Sequence, residues 1–77
     1  MLRTIQIFTQ YFNENNIIAQ MAPAGLAQLA IVTTKANMDR VRHFVDYNTP
    51  GHIQVEFHSV KNVTDIPKQM EFLKSLN

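Results

Sequence analysis

The segment "LRTIQIFTQYF", Leu2 to Phe12, fits two periods, and the choice between them decides the fold. At period two, Ile5, Ile7, Thr9 and Tyr11 lie on one side, with Phe8 and Phe12 on the other. At the helical period, Leu2, Ile5, Phe8 and Phe12 form a stripe. Thr, Ile, Phe and Tyr favour extended chain, so residue type predicts a strand here. "NENN", Asn13 to Asn16, then reads as a turn, because Asn tolerates left-handed backbone and bonds to its own chain. A hairpin into "IIAQM", residues 17–21, follows.

Downstream, "APAG" (residues 22–25) breaks the pattern: Pro23 lacks an N–H for a ladder and Gly25 relaxes the chain. "LAQLAIVTT" supplies a buried strand centred on Leu29 to Thr33, with room for a helical turn around Leu26. "NMDRVRHFVDY" reads as a helix. Asn37 suits the N-cap, and Asp39 in the first turn complements the helix dipole. Met38, Val41, Phe44 and Val45 share one arc of this helix, with Asp39, Arg40, Arg42, His43, Asp46 and Tyr47 opposite. Pro50 and Gly51 fit the central positions of a type II turn, with positive φ at the glycine.

"HIQVEFHSV" then alternates as a strand, with Ile53, Val55 and Phe57 on its apolar side. "DIPKQMEFLKSLN" closes the sequence as a helix. Thr64 or Asp65 serves as its cap, and Ile66, Met70, Leu73 and Leu76 form its apolar face. The expected order is β-β-β-α-β-α. "LAIVTT", helix and "IQVEF" form a β-α-β unit whose strands are parallel if adjacent, with a right-handed crossover. The expected architecture is a single α+β domain over residues 1–77: a small two-layer sandwich, with a mixed 3–4-stranded sheet and two helices on one face.

Composition narrows the functional classes. A chain of 77 residues buries only about 60% of its unfolded surface, so its stability margin is thin. It has no cysteine, which excludes disulfide staples and thiolate metal sites. The 17% charged fraction is low and the 45% hydrophobic fraction ordinary, the reverse of a disordered chain. Net charge is +1 with the signs interspersed, so the basic stripe typical of a nucleic-acid binder is missing. No apolar run is long enough to span a membrane, and "MLRTIQIFTQ" does not read as a signal peptide; the expected location is cytoplasmic.

Three groups of side chains compete for a functional role. His52, Gln54, Glu56 and His58 share one side of the fourth expected strand. His52 and His58 stand about 20 Å apart on a straight strand, too far to ligate one ion. Glu56 and His58 are about 7 Å apart and can converge. They supply two potential ligands, whereas a catalytic zinc site uses three. His43 is the remaining histidine; it sits on the polar arc of its helix, paired with Asp39 at i, i+4. A solvated strand face is the favoured reading, with a small enzyme or metal binder around Glu56 and His58 as an alternative.

The second group, Lys35, Arg40 and Arg42 with nearby Tyr47, can grip a phosphate backbone. Asp39 and Asp46 interrupt it, so nucleic-acid binding by the helix at 37–47 is also an alternative. The third group is Phe8, Tyr11 and Phe12. Apolar groups on both faces of a short strand need a covering helix or another chain, which makes these residues a candidate interface. No glycine-rich phosphate loop, nucleophile elbow or nucleophile–base pair is present. The leading expectation is therefore a small non-enzymatic, cofactor-free protein-interaction or regulatory module. It would self-associate or bind a protein through a sheet edge or the aromatic segment, and its size is shared by standalone regulators of phages and mobile elements.

Overall fold

A computed structural model describes residues 1–76; Asn77, at the end of the last expected helix, lies outside the described residues. The elements run α1 (Leu2–Glu14), β1 (Ala19–Gly25), β2 (Gln28–Thr34), α2 (Met38–Asn48), β3 (Gln54–Val60), a 3₁₀ turn (Val63–Asp65) and α3 (Ile66–Ser75). The molecule is an α+β fold with a three-stranded mixed sheet. Its strand order is β1-β2-β3, with β1 antiparallel and β3 parallel to β2. The parallel β2-α2-β3 unit is as expected from sequence.

The opening segment is helix, not strand. Thr4, Phe8 and Phe12 are buried and recur every four residues, while Gln6, Ile7 and Gln10 are exposed. The strand reading required Phe8 and Phe12 to face away from Ile5 and Tyr11. In the helix all four converge on one core. A packed amphipathic stripe has outweighed the β-preference of the individual side chains. "NENN" ends this helix instead of turning a hairpin, and Asn16 takes the anticipated left-handed backbone (φ 56°). The element order is accordingly α-β-β-α-β-α, with three strands and three α-helices among the described residues.

"APAG" also sits differently. It lies within β1, and Pro23 pairs opposite Leu29 at an edge of the sheet. The register slips between Pro23 and Gly25, and the chain reverses through Leu26 and Ala27. Leu26 is thus a hairpin tip, 99% exposed, not a helical turn. Gly25 has φ 154°, a conformation that L side chains rarely adopt, so the slip favours glycine there. At the start of β3, Ile53 N–H donates to Pro50 O at 3.0 Å. Pro50 therefore opens that turn and Gly51 and His52 occupy its centre. The positive φ expected at Gly51 is not taken up; among the glycines it occurs at Gly25.

Helices cover both faces of the sheet, in place of the expected single face. On one face, Leu29 and Ile31 of β2 pack with Phe8 and Phe12 of α1, Val41 and Val45 of α2, and the loop residues Ile17 and Ile53. On the other, Val32 packs with Ile66 and Met70 of α3. The reason lies in β2: Leu29 to Thr34 are all buried, so the strand needs cover on both sides. Thr33 is accommodated by donating its Oγ1 hydrogen to Ile18 O at 2.9 Å. Asn37 and Asp65 stand at the N-caps of α2 and α3, but neither side chain makes a capping bond. Asp65 Oδ2 instead accepts from Asn62 N–H at 3.3 Å, across the 3₁₀ turn.

Candidate functional site: the free edge of strand β3

β3 follows α2 back into the sheet and, among the described residues, has β2 as its only strand neighbour. Its pairing fixes which backbone groups remain outside the ladder. Gln54 N–H donates to Ala27 O, and Val60 O accepts from Lys35 N–H, both at 2.9 Å. The backbone groups of residues 54 and 60 therefore point inward, toward β2. The N–H and C=O of one residue point the same way and the direction alternates along a strand, so residues 56 and 58 also point inward. Val55, Phe57 and Ser59 direct their N–H and C=O outward, where no strand of the described residues lies.

The two sheet edges differ. β1 carries Pro23 and the register slip before Gly25, two devices that spoil pairing. β3, "QVEFHSV", has neither proline nor glycine and pairs in unbroken register with β2 from Gln28–Gln54 to Thr34–Val60.

The side chains of β3 divide between the sheet faces. Val55 and Phe57 are half-buried against the α1–α2 core. Gln54 and Glu56 are exposed on the opposite face and His58 is half-buried there, because α3 lies over β1 and β2. His58 Nε2 and Glu56 Oε2 meet at 3.3 Å. His52 precedes the strand, is exposed, and takes no part. Among the described residues, no group of three His, Cys, Asp or Glu side chains is placed to hold a metal ion. Glu56 also lines a groove of about 200 Å³ beneath α3, with Ala22, Ala30, Met70, Leu73 and Lys74. This groove gives Glu56 apolar neighbours and one lysine, but no second carboxylate or histidine.

The basic group is split. The Arg42 guanidinium lies 4.5 Å from the centroid of the Phe57 ring, a cation–π contact that directs it toward β3. Lys35 occupies the exposed turn between β2 and α2. Arg40, His43 and Tyr47 remain together on the outer arc of α2, with Tyr47 85% exposed. The expected Asp39–His43 pair does not form; among the described residues, the Glu56–His58 contact is the one close pairing of a carboxylate with a basic side chain.

The aromatic group is not a surface. Phe8 and Phe12 are buried in the chain's own core, and Tyr11 is half-buried, stacked on Phe44. Their excess apolar area is absorbed by α1 packing on the sheet, which the strand reading could not provide. The outward backbone groups of Val55, Phe57 and Ser59 were missed, since they depend on strand order. The signal that could have flagged them is a seven-residue strand with no proline or glycine, beside a β1 that contains both.

No family model, curated protein or solved structure matches the chain. Among the described residues, no helix is long and apolar enough to cross a membrane.

Proposed function

We propose that this protein is a non-enzymatic interaction module that adds an extended strand from a protein partner to the β3 edge. One observation supports this above the others. The edge at Val55, Phe57 and Ser59 is unprotected by proline, glycine or irregularity, while the other edge carries such protection. Strand addition draws affinity from main-chain hydrogen bonds and specificity from alternate side chains. Here those side chains are Phe57 and Val55 on one face, and Glu56 and His58 on the other.

The test is selection of extended peptides from a random displayed library, followed by NMR of the backbone amides. Enriched peptides are expected to shift Val55, Phe57 and Ser59, and to lose binding to Ser59→Pro. That substitution removes an outward N–H that β2 does not use, so the sheet itself remains intact. Binders that leave these three amides unmoved, or no binders at all, reject the reading.

A second reading rests on a separate observation. Tyr47 is 85% exposed on the same arc as Arg40 and His43, and an exposed aromatic beside cations can stack on a nucleic-acid base. It requires binding of single-stranded DNA or RNA that weakens steeply with salt and with Arg40→Ala or Tyr47→Ala. Binding indifferent to both changes eliminates it.

A further inference from the structure

Given that β3 is a binding edge, as proposed above, we infer that its occupant is the β3 strand of a second copy of this chain. The two strands run antiparallel about a two-fold axis through Phe57. The strand spans Gln54–Val60, so Phe57 is its midpoint, and only an axis there overlaps all seven residues. In that register Gln54 faces Val60, Val55 faces Ser59, and Glu56 faces His58 of the other copy.

The backbone geometry fits this arrangement. Val55, Phe57 and Ser59 all turn their N–H and C=O outward, so the 55–59, 57–57 and 59–55 pairs are the hydrogen-bonded positions. Together they form about six main-chain bonds. Glu56 and His58 then fall at the alternating positions without hydrogen bonds, where opposed Cα atoms approach to about 4.5 Å and side chains are closest. A shift of the axis by one residue either way still opposes outward groups, but it shortens the ladder to about four bonds and sets Glu56 against Glu56, or His58 against His58, of the other copy.

The charges fit as well. A two-fold contact is self-complementary: if Glu56 meets His58 of the other copy, then His58 meets its Glu56. Glu56 and His58 already touch within the chain at 3.3 Å. The two-fold therefore assembles four groups in which each carboxylate lies beside one imidazole and opposite another. A carboxylate directly across a strand pair from an imidazole accepts its N–H, whereas two carboxylates set opposite each other repel. On the other face the two Phe57 rings stand opposite each other, each with Arg42 over it. This continues the half-buried apolar layer across the seam.

The experiment combines sedimentation equilibrium from about 10 μM to 1 mM with amide hydrogen exchange. Variants are His58→Glu, Glu56→His and the exchanged pair Glu56→His with His58→Glu; circular dichroism checks their folding. The expected result is a reversible dimer with concentration-dependent protection of the Val55, Phe57 and Ser59 amides. His58→Glu weakens it by about tenfold, from two opposed carboxylate pairs; Glu56→His weakens it by removing both carboxylate acceptors, and the exchanged pair restores it. A dimer with protection elsewhere, or one indifferent to the single variants, overturns the inference. So does a monomer at the highest concentration. If that monomer's β3 amides still respond to library peptides, the binding-edge reading stands and only the identity of the occupant falls. If they respond to neither, both fall.

Discussion

Tyr11 of α1 lies flat on Phe44 of α2, with ring centroids 3.5 Å apart and planes within 4°. This contact joins the first helix to the second across a separation of 33 residues in sequence, 44 minus 11. It belongs to an aromatic group in which Phe8 also meets the Phe44 ring edge-on at 5.8 Å. Edge-to-face pairs like Phe8–Phe44 contribute about 0.5–1.5 kcal/mol beyond the area they bury. A double-mutant cycle with Phe8→Ala and Phe44→Ala should therefore give a coupling free energy of that size, read from denaturant midpoints. A coupling near zero would mean that the helices do not meet through these rings.

The helical reading of residues 2–14 makes a sharper contrast between neighbours. Phe8 is 1% exposed and Ile7 48%. Phe8→Ala should cost about 3–5 kcal/mol. A chain of 77 residues has only about 4–12 kcal/mol to lose. Ile7→Ser should stay within about 0.5 kcal/mol. Thermal unfolding of the two variants, measured side by side, tests the assignment of this segment.

The second helical layer makes its own demand on β2. Val32 is fully buried beneath Ile66 and Met70. Val32→Asn places an amide where those neighbours offer no hydrogen-bond partner, a loss of at least about 2 kcal/mol. In a two-layer sandwich with that face in water, the same change would be nearly neutral. Chemical denaturation of this variant separates the two architectures.

At the hairpin tip, Ala27 holds φ 57°, a left-handed conformation that disfavours a Cβ. Ala27→Gly should raise stability by up to about 1 kcal/mol, the relief of strain less the added freedom of the unfolded chain. A lower midpoint in the glycine variant would contradict the backbone assignment there.

The parts legible in sequence were those where period and residue type agree. In α2, Val41 and Val45 fall at helical spacing in good helix context, and both are buried. In β3, alternation and β-preference point the same way, and the parallel β2-α2-β3 unit followed from the order. In α1 the two signals oppose each other: Thr4, Ile5, Ile7 and Phe8 prefer strands one by one, yet their spacing suits a helix. Tertiary packing decided the matter, and no local rule contains it. The uninterrupted burial of Leu29 to Thr34 was visible as an apolar run, but its meaning, cover on both faces, was not drawn from it. The candidate site was the least legible. Glu56 and His58 could be placed on one side of a strand by counting alone. That β3 lies at an edge, with Phe57 at its midpoint, follows only from strand order and register.

The unequal treatment of the two sheet edges has a consequence for the size of any assembly. A sheet with two open sides can add copies without end and grow into a filament. Here Pro23 and the slip at Gly25 close one side. A two-fold junction at β3 would consume the other side in both copies at once, so growth terminates at a pair.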